Sequence, residues 1–112
     1  MIKILEKNQL KIMEDYPTEV ISAINKIITI LDENYGYNRS IEIDLGGYVI
    51  VLENISDIKM LKKNKLKGLI PEYTDEIKCS EGVNYTSSLF LLSSDFSVVV
   101  IADEELSKIL LD

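Results

Sequence analysis

Carboxylates are the only abundant side chains here that could do acid–base work. Nineteen aspartates and glutamates stand against twelve lysines and arginines, and histidine is absent. Glu42 and Asp44 fall on one face of an alternating stretch, and a carboxylate pair can divide acid and base roles when its two environments differ. That alternation makes theirs a solvent face, so exposed charge is the plainer reading. Asp75 and Glu76, if they lie in a strand, point to opposite faces and form a poorer pair. Asp103, Glu104 and Glu105 stand together, but a hard cation needs several convergent oxygens. A helix N-terminus, where the dipole favours acids, already explains the triplet.

Other chemistries lack their parts. Without histidine the chain has neither the commonest general base nor the commonest metal ligand. Cys79 is the single cysteine, so it forms no intrachain disulfide or thiolate cluster, and nothing beside it would activate it as a nucleophile. It reads as a small buried filler. No transition-metal set can be assembled and no cofactor is expected. Gly46-Gly47 lies between two apolar runs, not between a strand and a helix carrying Lys-Ser or Lys-Thr, so it is a turn signal and not a phosphate loop. Asn84-Tyr85-Thr86 matches a glycosylation sequon with no secretion signal to support it. An enzyme is not expected.

Charge is distributed unevenly. Lys59, Lys62, Lys63, Lys65 and Lys67 crowd into nine residues, which leaves seven basic groups against nineteen acidic ones elsewhere. The plain account of the cluster is a solvated helix face running into a loop; the functional account is a docking knob. Tyr35, Tyr37, Tyr48, Tyr73 and Tyr85 are scattered among acidic segments, a residue type used both at sheet edges and at interface cores. The net charge of −7 and pI of about 4.6 speak against nucleic acid, whose affinity rests on phosphate neutralisation.

The elements that must position these groups can be read from periodicity. At 112 residues the chain is expected to be one domain, 1–112. Residues 89–102 (LFLLSSDFSVVVIA) hold two apolar runs, 89–92 and 98–102, divided by Ser93, Ser94 and Asp95. They read as a central hairpin covered on both faces, because neither run alternates. Residues 1–14 admit two readings: a strand at Ile2 and Ile4, followed after Lys7-Asn8-Gln9 by a second through Leu10 and Ile12, or a helix through Leu5, Gln9, Ile12 and Met13.

Asp15-Tyr16-Pro17-Thr18-Glu19 starts a long helix that runs to about Asn34. Val20, Ile24, Ile27, Ile28 and Leu31, widened by Ile21, form its apolar stripe. Ile41, Ile43 and Leu45 alternate as a half-buried strand, Gly46-Gly47 turns it, and residues 48–53 return as a buried strand. Ser56 reads as the cap of a short helix over 57–64, with Ile55 and Met60 at staple positions. Gly68 and Pro71 break the next stretch. A strand is expected over 74–79, a turn at Ser80-Glu81-Gly82, a strand over 83–92, and a last helix from Asp103 through Leu106, Ile109 and Leu110.

Adjacent strands joined by short turns predict an α+β fold. The expected form is a mainly antiparallel sheet of about five strands, one long amphipathic helix packed on it, a short middle helix and a C-terminal helix. The N-terminus shows no apolar secretory run and no stretch reaches the ~18 residues of a membrane span, so a cytoplasmic protein is expected. The scarcity of alanine (Ala23, Ala102) and arginine (Arg39) suggests an AT-rich bacterial or phage genome.

The functional expectation is a small acidic protein-binding protein, of the immunity or inhibitor kind, that occupies a basic toxin or nucleic-acid enzyme. Electrostatic steering would speed capture, with Glu42, Asp44, Glu72, Asp75 and Glu76 as the contacts. The alternative is a phage or mobile-element accessory or structural protein that self-associates. Oligomeric state does not follow from the residues.

Overall fold

The computed structural model describes residues 1–35 and 46–112. Its elements are β1 (Ile2–Ile4), a 3-10 helix (Lys7–Met13), α1 (Thr18–Tyr35), β2 (Gly46–Val51), α2 (Ile55–Lys63), β3 (Tyr73–Ile77), β4 (Tyr85–Ser93), β5 (Phe96–Asp103) and α3 (Glu104–Leu110). The strands form one sheet in the order β1-β2-β5-β4-β3. This is an α+β domain with a five-stranded sheet that is mixed: where a mainly antiparallel sheet is expected, one of its four pairings is parallel. β2 and β5 run parallel, Gly46 opposite Phe96 through Val51 opposite Ile101, while the other three pairings are antiparallel. A parallel pair needs a long crossover, and α2, β3 and β4 supply it.

The predicted hairpin of residues 89–102 is the β4–β5 pair, and β5 sits at the sheet's centre. Residues 96–102 are buried throughout, as a strand covered on both faces requires. The strand at 48–53 appears as β2, beside it. The strand expected at 41–45 lies outside the described residues. Its turn is corrected: Gly46 and Gly47 are the first two residues of β2 itself, and the antiparallel neighbour of β2 is β1.

The reason is steric. A Cβ on Gly47 would lie 2.3 Å from the carbonyl oxygen of Ser97 and 3.3 Å from Leu31 Cδ2. Gly46, at φ 97°, donates its N–H to the Asp95 carbonyl at 2.8 Å. The glycine pair therefore lets two central strands and a helix approach one another, and does not turn a hairpin.

The N-terminus combines both of its readings. Ile2–Ile4 is a strand, whereas Leu10 and Ile12 lie in the 3-10 helix and not in a second strand. Gln9 draws the chain round by accepting the Leu5 and Glu6 N–H groups at 2.6 and 2.9 Å. The cap of α2 is Asn54 in place of Ser56. Its side chain accepts from Asp57 N at 3.2 Å while Asp57 Oδ2 accepts from Asn54 N at 3.2 Å and Glu53 N at 2.9 Å. This reciprocal box satisfies donors the helix leaves open. It starts the helix two residues early, so Ile55 and Met60 are exposed and form no staple.

The two faces of the sheet are covered unequally. On one, α2 and α3 pack side by side over Tyr48, Ile50, Phe90, Val98 and Val100. On the other, Val20, Ile24 and Ile28 of α1 pack with Met13 over Ile4, Val49, Val51 and Ile101. The four spacings between five strands span about 19 Å, whereas a helix is about 10 Å across. The 3-10 helix fills the β1 side of this face. α1 lies along β2 and meets β3 at its first turn, where Glu19 Oε2 accepts Ser80 N at 2.8 Å. Among the described residues no helix covers the β3–β4 side of this face. No helix among the described residues is long and apolar enough to cross a membrane.

Candidate functional site

The open side of the α1 face forms a groove of about 750 Å³. Register sets its floor. β4 presents Ser87, Leu89 and Leu91 toward α1, opposite Ile101, Val99 and Ser97 of β5, and Tyr73 and Asp75 of β3 stand opposite Leu89 and Ser87. Ala23, Lys26, Ile27 and Ile30 of α1 form one wall; Tyr73, Asp75 and Ile77 form the other. Two of the large apolar side chains left in water line this groove, Tyr73 at 59% exposure and Ile30 at 54%; Leu91, at 44%, follows the groove-lining Leu89 on the same face of β4. Single exposed apolar residues are ordinary, but a convergent patch marks a surface built for contact.

The rim carries charge. Glu19 stands at the α1 end and Asp75 and Glu76 at the β3 edge, with Lys26 across from them. Hydrogen bonding from the Ser80 backbone, above all, holds the Glu19 carboxyl below its ordinary range. Glu76 Oε1 accepts from Asn84 Nδ2 at 3.3 Å, and Asn84 Oδ1 accepts from Cys79 N at 2.9 Å. The asparagine of the sequon is thus engaged in closing the β3–β4 turn.

The five predicted contact residues divide. Glu42 and Asp44 lie outside the described residues. Glu72, Asp75 and Glu76 are all exposed on or just before β3. Asp75 faces the groove with Tyr73 and Ile77, while Thr74 and Glu76 take the opposite face beside Ser88 and Thr86. They share an edge, then, but not a catalytic pocket. Cys79 is only partly buried; burial, and secondly the Glu19 carboxylate, push its thiol up from the ordinary value, away from a reactive thiolate. Among the described residues no three metal-ligating side chains cluster.

The lysine cluster has internal employment. Lys62 Nζ donates to the carbonyls of Ile109 and Asp112 at 3.0 and 3.2 Å, finishing the C-terminus of α3. Lys65 Nζ lies 5.3 Å from the Tyr48 ring centroid, and Lys3 Nζ 5.9 Å. Tyr48 itself is wholly buried, edge-on to Phe96 at 5.6 Å, and its hydroxyl has no hydrogen-bond partner among the described residues. Among the other described tyrosines, Tyr85 packs against Tyr16 at 6.3 Å, and Tyr73 stands at the groove.

Residue patterning does not point to Glu19 and Ile30 as groove residues, nor to the exposure of Leu91. A signal for Ile30 existed: residues 27–31 (IITIL) are more apolar than one helical stripe requires. The non-alternating run that holds Leu91 predicts cover on both faces, yet among the described residues no second helix lies on that face of β4, and Leu91 is exposed. The chain matches no protein-family model, no curated protein sequence and no solved structure.

Proposed function

We propose that this protein is a binding protein of the immunity or inhibitor kind, which occupies a basic partner protein through the acidic, apolar-floored side of its α1 face. The observation that carries the reading is the meeting of exposed Tyr73 and Ile30 in one groove whose rim holds Glu19, Asp75 and Glu76, with Leu91 exposed on the same face of β4. Interfaces of this kind combine a desolvated aromatic and aliphatic centre with a charged rim that steers encounter. The absence of histidine, of a cysteine cluster and of a phosphate loop in the sequence favours binding over catalysis.

Zero-length carbodiimide coupling joins carboxylates of this chain to lysines of a bound partner and maps the surface directly. Coupled peptides should contain Glu72, Asp75 or Glu76. Asp75→Lys with Glu76→Lys should lower the association rate at low salt at least tenfold, and the difference should shrink as salt screens it. Coupling that instead joins Lys59, Lys63 or Lys67 to partner carboxylates would make the lysine cluster the working surface and overturn the reading. A symmetric oligomer by light scattering, with the groove buried in it, would favour the self-associating alternative.

A further inference from the structure

We propose that the partner is captured by strand addition: an extended segment bearing apolar and basic side chains pairs with the free edge of β3. This inference rests on the acidic-capture reading and specifies its geometry. Among the described residues β3 ends the sheet and pairs only with β4, so one row of its backbone N–H and C=O groups faces outward over Tyr73–Ile77. The opposite edge is no equivalent. β1 has three residues, and the chain then bends into the 3-10 helix through the Gln9 side chain.

Charge selects who may pair there. Sheet edges are usually blunted by lysine, proline, bulges or shortness. β3 has five regularly paired residues, with no lysine or proline among them, and two adjacent carboxylates at or next to its centre. Antiparallel pairing of two copies about Asp75 would set the Asp75 carboxylates opposite each other. Shifting the centre by half a residue would set Asp75 opposite Glu76. Either register opposes like charges and disfavours a second copy. The same carboxylates favour a basic strand, although Lys26 across the groove and Lys78 after β3 moderate the field.

Pleat and register then define the segment. Read from its N-terminus, an antiparallel strand sets its residues opposite Ile77, Glu76, Asp75, Thr74 and Tyr73 in turn. Complementary cross-strand pairing makes these apolar, basic, basic, hydroxyl-bearing and apolar. The two apolar residues and the second basic one fall on the groove face, beside Tyr73 and the mouth of the groove; the others lie beside Glu76 and Thr74.

The probe is a capped synthetic peptide, Thr-Val-Lys-Arg-Thr-Val-Thr, titrated into the isotope-labelled full chain and followed by amide chemical shifts. Shifts should concentrate on residues 72–77 and the groove margin, at millimolar affinity or better, with slowed exchange of outward β3 amides. Only alternate residues of an added strand bond to its neighbour. N-methylation of one alternate set of peptide amides should therefore weaken binding about tenfold or more, and of the other set less than about twofold. Binding that keeps its salt dependence and its preference for Lys-Arg over Glu-Glu, but ignores N-methylation, sinks strand addition and leaves acidic capture standing. Equal binding of the Glu-Glu peptide sinks both. No shift at millimolar peptide, or a peptide-free dimer that protects β3, overturns the inference.

Discussion

Substituting Gly47 by alanine bears directly on how the sheet is assembled. Its Cβ would sit 2.3 Å from the Ser97 carbonyl oxygen and 3.2 Å from the carbonyl carbon. Carbon and oxygen in favourable contact lie about 3.3 Å apart, so the two central strands must part by about 1 Å. Backbone gives way less cheaply than a flexible side chain. Overpacking of this kind costs about 1–3 kcal/mol, and one or two weakened ladder hydrogen bonds add about 1 kcal/mol each. The smaller entropy of the unfolded alanine chain returns about 0.4–1 kcal/mol. The net loss is about 2–4 kcal/mol, a large part of the roughly 5–15 kcal/mol that holds a domain together. Chemical denaturation should show it as a lower midpoint at unchanged slope, and thermal unfolding as a Tm roughly 10–20 °C lower. Gly82→Ala is the control: its φ is 78° but a Cβ there meets nothing within 4 Å, so only the left-handed penalty of about 1–2 kcal/mol applies. Gly47→Asn separates the two readings of the glycine pair, since asparagine suits a hairpin turn and not a strand pressed against Ser97. If Gly47→Ala or Gly47→Asn unfolds within about 0.5 kcal/mol of the parent, the close-approach argument is refuted and the turn reading returns.

Tyr48→Phe should leave stability unchanged or raise it by about 1 kcal/mol in denaturant titration, because it removes a buried hydroxyl that has no partner among the described residues. A loss above about 1 kcal/mol would mean that the hydroxyl is satisfied in solution. Asn54→Ala should cost about 1 kcal/mol by opening the cap of α2. Burial alone would raise the Asp57 carboxyl, but N–H donation from Glu53 and Asn54 and the nearby N-terminal ammonium hold it below its ordinary value. Its contribution is therefore full above the ordinary aspartate range, about pH 4, and is lost as pH falls through the lower folded value. Stability against pH should fall less steeply in that acid window for Asp57→Asn, and an unchanged slope would contradict the assignment. Lys62→Glu should cost about 0.3–1 kcal/mol by removing the donor at the end of α3 and reversing its charge there, whereas the exposed Lys63→Glu should stay within about 0.5 kcal/mol of the parent.

Local chemistry settled a good deal of this protein. The period of α1, the unbroken apolar run of β5 and the Ser-Ser-Asp punctuation before it are properties of neighbouring residues, so they place a long helix and a central hairpin without any knowledge of the rest. The opposite facing of Asp75 and Glu76 follows from strand alternation alone, but that β3 is the sheet edge does not. Two features needed the tertiary structure. The parallel pairing of β2 with β5 joins residues about fifty positions apart, and Gly46-Gly47 carries the same letters whether it turns a hairpin or admits a neighbouring strand; only the position of the Ser97 carbonyl decides between them. The groove needed it too. Leu89 and Leu91 look as buried as Val99 to any reading of their own run, because coverage depends on the ratio of sheet width to helix width. One helix about 10 Å across on a sheet about 19 Å wide leaves Leu91, Tyr73 and Ile30 facing water.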